Sequence, residues 1–381
     1  MSFFGNSAIN RVNLHYAIQA IAVGAGGVFV LAFLLRAGMS VPATLLVQAG
    51  LVAARFVLRP IVPPLAARFG LKPMLIAAIL LEAAAYPILS MVKGPDLALF
   101  VWCTVATLGS VIYWTCFHAY FSSLGDAEHR GGQVGAREAM AAISGILAPL
   151  VGGWVLVTGG PVILFAAAGV LQALSALPLL KAPNVKVARE APGAYRAARL
   201  GGLLMVTDGI FAGGYHYVWM IALFVSLSES YVAYGGAMAL AAAVGAVFSL
   251  AIGRHIDAGY GRRALVVATL VSVGVLLLRA ASLETPWLAV TANALGALVV
   301  ALWTPALMTP VYNLSKASPC PLRFHVATEG GWDLGCGGVC LAAAGLSAAG
   351  LPLSTSILLG LAGSMAGFGL IWRGYASRAW T

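Results

Sequence analysis

Ten ionisable side chains are the functional candidates inside strongly apolar stretches of this 381-residue chain, where a charge is costly to bury. In a lipid bilayer the cost is about 2.5–3.5 kcal/mol on insertion scales, so such groups face the protein interior and serve ion pairing, proton exchange or solute binding. The alternative for each group is a satisfied structural contact. The ten are Arg55, Glu82, His118, Arg137, Glu138, Asp208, His216, Arg254, Glu329 and Asp333.

Several of these groups have neighbours at helical spacing. In an α-helix Asp208, Tyr215 and Trp219 fall within about 40° of one another, which places an acid and two aromatic surfaces on one stripe. Glu329 and Asp333 lie one helical turn apart on the same face. Interfacial aromatics beside a hydrogen-bonded acid are the structural alternative for the first group.

The elements that position these groups must cross a membrane. Hydrophobic residues make up 61% of the chain and charged residues 9%, with a mean hydropathy of +0.94, whereas a soluble domain is about 25% charged. Apolar stretches of roughly 20 residues, long enough to cross a bilayer, recur along the whole chain. They predict an all-α integral membrane protein of twelve spans, the fifth at 133–158 and the eleventh at 325–349.

The basic residues predict the orientation of these spans. Of the 22 Lys and Arg residues, all but Arg36, Lys93 and Arg279 lie at the termini or in loops on one side. By the positive-inside rule, both termini are cytoplasmic and the protein is a multi-pass protein of the inner membrane. The net charge of +10 then reflects topology and contact with anionic membrane lipids, not nucleic acid.

The two halves of the chain repeat each other. A short cationic segment occurs at 63–73 and again at 253–263, each time between the second and third span of its half. Trp114-Thr115 matches Trp303-Thr304 at a similar offset. Internal repeats with matching apolar segments are typical of secondary transporters. They predict an N-terminal bundle at 1–181, a linker at 182–198 and a C-terminal bundle at 199–381.

The cationic loops resemble a motif of the major facilitator superfamily of secondary transporters, and the resemblance covers essentially the full chain. The motif Gly-x-Leu-Ala-Asp-Arg-x-Gly-Arg-Lys-Pro is matched at Leu65, Ala66, Arg68, Gly70, Lys72 and Pro73. Ala67 stands where the motif has its acid, whereas the second copy keeps the acid as Asp257. The resemblance implies two pseudo-symmetric six-helix bundles that alternate access to a central site.

A second resemblance lies in span 5. The segment from Gly145 to Gly153 includes Ala148-Pro149 and ends in Gly152-Gly153, similar to the family's Gly-Pro-x-x-Gly-Gly antiporter motif. The family interpretation implies export in exchange for protons. The alternative is that proline and small residues kink the helix and permit close packing.

The resemblance also implies which residues contact the solute, because spans 4 and 7 line the family's central cavity. Span 10 corresponds to span 4, and span 1 offers a further polar face. The expected solute-binding residues are Gln19, Thr107, Trp114, His118, Asp208, Tyr215, His216, Trp219, Asn293, Trp303 and Thr304.

Gating charges are expected near the cytoplasmic side. The resemblance implies that span 2 touches span 11 and that span 5 touches span 8. We therefore expect Arg55 or Arg59 to pair with Glu329 or Asp333, and Arg137 or Glu138 to contact Asp257 or Arg254. Asp208 is the further candidate for proton coupling, and a permanent structural ion pair is the alternative to each gate.

The leading function from the sequence is proton-coupled efflux of a small organic solute by a monomer that is not an enzyme. Uptake by proton symport or facilitated diffusion is the nearest alternative, and a lipid flippase, receptor or intramembrane enzyme is more remote. No cofactor or metal is expected. Cys336 and Cys340, one helical turn apart, are interpreted as small packing residues, because no further ligand stands at metal-binding spacing.

Overall fold

The computed structural model describes residues 5–126, 130–256 and 261–376, and within these ranges the regular structure is helical. We number the membrane-crossing helices α1 to α12. They are Ser7–Arg36, Val41–Phe69, Leu71–Leu89, Leu97–Leu124, α5 in two pieces (Arg130–Gly145 and Ala148–Thr158), Gly160–Leu180, Arg199–Ser226, Tyr231–Ile256, Gly261–Ala281, Pro286–Ala317, Pro321–Ala348 and Leu353–Ala376.

Ten of these helices, searched over the described residues, are long and apolar enough to cross a membrane by length and composition. The other two, α5 and α11, fall short for different reasons. The second piece of α5 is an apolar helix of only 11 residues, and the 28 residues of α11 include Glu329 and Asp333. Both acids are buried, so the polarity of α11 faces the protein and not lipid. The predicted all-α, twelve-helix membrane fold is confirmed.

Four described helices that meet between the two halves are irregular, and in α2 the irregularity is a 3-10 turn at Arg59–Ile61. A 3-10 turn at Gly27–Phe29 interrupts α1, and a six-residue π segment, Gly213–Val218, interrupts α7. α5 breaks between Gly145 and Ala148, because Pro149 lacks an amide proton and its ring clashes with the preceding turn. The span predicted at 133–158 is therefore two helices. Such breaks bend a helix and free backbone carbonyls for other partners.

Helices α7 and α11 pack backbone against backbone through glycine. A methyl group added at Gly335 would overlap the Val206 carbonyl oxygen and lie 2.8 Å from the Ile210 amide nitrogen. Gly209 faces α11 in the same way, against the Trp332 carbonyl. In lipid, where helices gain little from hydrophobic burial against each other, this close approach is a main source of association.

Gly335→Ala is expected to destabilise the protein by about 1–3 kcal/mol, because backbone atoms cannot swing aside as a side chain can. Thermal unfolding in detergent measures the effect. Gly338 is the matched control in the same helix, since a methyl group there meets nothing within 4 Å. Gly338→Ala should leave the midpoint unchanged or raise it, because alanine favours the helix. Equal midpoints for the two variants would contradict the packing argument.

The N-terminal and C-terminal sets of six helices touch at both ends of the bundle. At the end that carries the described chain termini, the hydroxyls of Ser122 and Ser315 lie 3.1 Å apart. At the opposite end, the Tyr234 hydroxyl donates to the Val28 carbonyl at 3.1 Å. The space between the halves therefore lies between two regions of contact.

The linker between the halves contacts the first cationic loop. The Asn184 side chain accepts a hydrogen bond from the Lys72 amide at 3.2 Å and donates to the Phe69 carbonyl at 3.1 Å. Gly70, at a φ of +87°, makes the turn between these two residues. Arg323 of α11 donates to the linker carbonyl of Ala188 at 2.9 Å. The linker thus contacts both halves, and its predicted boundaries, 182–198, stay a prediction.

Candidate functional site

Two adjoining cavities lie between the halves, with volumes of about 390 and 400 Å³. We call the one nearer the termini the proximal cavity and the other the distal cavity. Both are in the size range of small-molecule sites. Six lining residues are shared by the two cavities, which therefore adjoin: Tyr16, Trp114, Glu138, Tyr215, His216 and Val300.

Most of the predicted site residues line these cavities. The proximal cavity has Arg55, Trp114, His118, Arg137, Glu138, Asp208, Tyr215, His216, Trp303, Thr304 and Glu329 in its wall. The distal cavity has Gln19, Trp114, Glu138, Tyr215, His216, Trp219 and Asn293. Thr107 is buried in α4 and lines neither cavity. Arg59 and Asp333 lie behind the proximal wall, and Asp257 lies outside the described residues.

Asp333 is the centre of a buried ion cluster that joins the halves. Arg55 donates from Nε to Asp333 Oδ1 at 3.0 Å, and Arg59 contacts the other oxygen, Oδ2. Helix α4 holds both guanidiniums in place, through Ser110 at 3.0 Å and Thr115 at 2.6 Å. The two arginines predicted to pair with an acid of α11 thus share one carboxylate, and both of its oxygens are occupied.

Glu329, one turn away, meets a histidine instead of an arginine. Its Oε1 lies 3.5 Å from His118 Nε2, and His118 Nδ1 lies 2.6 Å from the Tyr312 hydroxyl. Arg137 donates to the Tyr312 oxygen at 3.1 Å, so the Tyr312 proton can go to His118 Nδ1. A neutral His118 then carries its own proton on Nε2, facing Glu329. This chain of polar contacts links α4 and α5 to α10 and α11.

Arg137 is held within its own half more than across the interface. Its Nη2 donates to the neighbouring Glu138 at 2.6 Å, and its guanidinium lies 4.9 Å from the Tyr16 ring and 5.3 Å from the Phe121 ring. The expected contact of Arg137 or Glu138 with Asp257 or Arg254 is not tested, because Asp257 lies outside the described residues and the side chain of Arg254 is not described. The described contact across the interface is the one with Tyr312.

Two tryptophans hold Asp208. Trp303 Nε1 donates to Oδ1 at 2.9 Å, and Trp332 Nε1 donates to Oδ2 at 3.1 Å. Each indole has a single N–H donor, so each carboxylate oxygen gains one neutral hydrogen bond and no counter-charge. His216, by contrast, presents an exposed side chain to both cavities.

The distal cavity contains a cation that the sequence analysis assigned to topology alone. Arg279 of α9 is buried, and its Nη1 donates to the Tyr215 carbonyl at 2.5 Å. Trp219 Nε1 donates to Asn293 Oδ1 at 3.0 Å beside it. The sequence signal for this role is the position of Arg279 inside the ninth predicted span, 264–283, four residues before its end, where a long side chain can reach inward.

In the described part of the chain, no group of three or more His, Cys, Asp or Glu side chains has the spacing to hold a metal ion. Cys336 and Cys340 are buried in α11 against Ala49 and Val52 of α2, which fits their interpretation as packing residues.

Comparisons with known proteins identify the fold. No curated protein matches the chain by sequence. Among solved structures, the human organic anion transporter MFSD10 (TETRAN) is 15% identical with a TM-score of 0.67, covering 97% of this chain and 98% of its own. The E. coli fucose:proton symporter FucP is 12% identical with a TM-score of 0.69, covering 96% and 98%. At these identities the likeness shows the fold alone.

A family profile described as the Major Facilitator Superfamily matches residues 13–318. The match includes the first cationic loop and the charged residues of α2, α4 and α5 around the proximal cavity. The chain therefore belongs to the major facilitator superfamily.

Proposed function

We propose that this protein is a secondary active transporter that exports a small organic solute across the cytoplasmic membrane in exchange for protons. Alternating access moves the solute, and both termini face the cytoplasm. The observation that carries the proposal is the pair of cavities between the halves, bordered at the terminal end by buried charges that bridge the halves.

The bridging charges suit a gate. Arg55 and Arg59 belong to one half and Asp333 to the other, so separating the halves at the terminal end would break both ion pairs. Contacts made in only one of two packings bias the equilibrium between them. A solute or a proton that weakens these contacts would then favour opening toward the cytoplasm.

Glu329 is the acid best placed to carry the coupled proton. Protonating Asp333 would leave two buried guanidiniums without a counter-charge, which is costly. Glu329 faces His118 and not an arginine, and a neutral His118 can remain hydrogen-bonded to Tyr312 when Glu329 takes up a proton. Glu329 also lines the proximal cavity, where a proton can reach it together with the solute.

The case for exchange is the resemblance of the Gly145 to Gly153 segment of α5 to the antiporter motif. Gly152 packs against the Ala25 carbonyl of α1, and Gly235 of α8 packs against the Pro149 carbonyl. The segment that resembles the antiporter motif therefore lies where α5 contacts helices of both halves. Small residues let these helices pack closely, at a contact that the rocking of one half against the other must rearrange.

Purified protein in liposomes with an imposed pH gradient tests the proposal. Solutes that raise the thermal midpoint in a metabolite screen are selected first, since ligands of the folded state stabilise it. An antiporter accumulates such a solute on the acidic side of the membrane. Accumulation on the alkaline side would establish symport, and equilibration without accumulation would establish a facilitative carrier; either result overturns the proposal.

A further inference from the structure

The distal cavity contains a buried positive charge that no acid neutralises in the described part of the chain. Arg279 is 3% exposed, its guanidinium carbon lies 4.1 Å from the Tyr215 ring and 4.7 Å from the Trp219 ring, and its Nε has no hydrogen-bond partner. The Tyr215 carbonyl accepts from Nη1. Aromatic faces and one carbonyl stabilise a cation only in part.

The other charge in the distal wall does not compensate for Arg279. Glu138 is the acid that lines this cavity, and it is already paired with Arg137 at 2.6 Å. Asp208, further along α7, receives the N–H groups of Trp303 and Trp332 and lines the proximal cavity. The distal cavity therefore carries an excess of positive charge on the side of Arg279.

Arg279 lines the distal cavity, whose volume of about 400 Å³ leaves room for a partner that comes from outside the protein. Gly296 makes space for the guanidinium itself, since a methyl group there would overlap Nη2. The rest of the wall is mainly apolar and aromatic, with Trp114, Trp219 and Met238 in it. A guanidinium presents paired N–H donors that match a carboxylate, and the apolar wall matches a hydrocarbon body.

We propose that the distal cavity binds an organic monocarboxylate with an apolar body, and that Arg279 anchors its carboxylate. The inference rests on the proposed transport function and names the class of its solute. The geometry favours an anionic solute over a cationic one, because two indoles hold Asp208 whereas Arg279 has no counter-charge among the described residues.

Binding to the purified protein tests the site without any transport. The probes share one ring system and differ in charge: 2-naphthoate, 2-naphthalenemethanol and 2-naphthylmethylamine, with benzoate and octanoate as smaller and aliphatic carboxylates. Affinities come from titrations of the thermal midpoint in detergent. The variants are Arg279→Gln and Arg279→Lys, and Arg36→Gln is the matched control, because Arg36 lies at the same end, 6.0 Å from the Tyr231 ring, but is exposed.

At least one carboxylate should raise the midpoint of the wild type, with the alcohol and the amine binding more weakly. Arg279→Gln should weaken carboxylate binding by about 10- to 100-fold, as expected for loss of a charge-assisted hydrogen bond. The carboxylate affinity of Arg279→Lys should fall between those of Arg279→Gln and the wild type, since lysine keeps the charge but not the paired N–H donors. The affinity of Arg36→Gln should match that of the wild type. If Arg279→Gln does not fold, Arg279→Lys is the variant that tests the site.

The proposal is overturned if no carboxylate binds, if the alcohol or amine binds as tightly, or if the Arg279 variants bind carboxylate like the wild type. The two proposals fail separately. Carboxylate binding through Arg279 without movement driven by a pH gradient would reject the exchange and keep the site. Proton-coupled movement of another solute, with no carboxylate binding, would reject the site and keep the transporter.

Discussion

Asp333→Asn is expected to destabilise the protein by about 3–5 kcal/mol, the cost of leaving buried charges unpaired. Arg55 and Arg59 both depend on this carboxylate, and α4 supplies them only with hydroxyl partners. A loss of this size is a large share of the roughly 5–15 kcal/mol that stabilises a typical protein. The yield of monodisperse protein and the thermal midpoint in detergent measure the effect.

The control for this variant lies one turn away. Glu329→Gln removes an acid of similar burial whose described partner is a neutral histidine at 3.5 Å, so its thermal midpoint should fall much less. Replacing Arg55 and Arg59 with glutamine in the Asp333→Asn background should restore part of the stability, because no unpaired charge then remains. A midpoint for Asp333→Asn close to that of the wild type would refute the assignment of Asp333 as the centre of the cluster.

Glu329→Gln should abolish accumulation driven by a pH gradient while leaving exchange of labelled for unlabelled solute intact. Glutamine keeps a hydrogen-bonding oxygen near His118 but takes up no proton in the working pH range, so the coupling is lost and the path remains. Proteoliposomes loaded with the solute, assayed with and without a pH gradient, separate the two activities.

Glu284→Gln serves as the matched control, since Glu284 is exposed in the loop between α9 and α10. It should behave like the wild type in both assays. Full gradient-driven accumulation by Glu329→Gln would remove Glu329 from the coupling mechanism. Loss of exchange by a well-folded Glu329→Gln would instead assign it to the solute path or to the gate.

The sequence predicted which helices carry the ion cluster, but not which of two acids lies at its centre. Charges in apolar spans need partners, and the family resemblance brings span 2 against span 11, which narrowed the partners of Arg55 and Arg59 to two acids. Glu329 and Asp333 share a helix face, so their spacing cannot distinguish them. The choice depends on how far each guanidinium reaches, which follows from helix packing.

Arg279 is a site residue that the sequence did not predict. Arg279 lies near the end of its span, and counting basic residues for topology treats such a position as a loop charge. Whether a long side chain turns toward water or into the bundle depends on the partners that lie inside the bundle. The partners of Arg279 are the Tyr215 carbonyl and the rings of Tyr215 and Trp219. These groups belong to α7, so the sequence of α9 alone does not predict them.

The π segment of α7 has a consequence for which side chains can touch the same molecule. Such a segment amounts to one inserted residue, so everything beyond it is turned by about 100° relative to a regular α-helix. An uninterrupted helix would put Asp208 and Trp219 on one face, whereas beyond the π segment Trp219 is turned from that face and its indole donates to Asn293 in the wall of the distal cavity. Deleting one residue between 213 and 218 would restore the alignment and carry the indole away from Asn293.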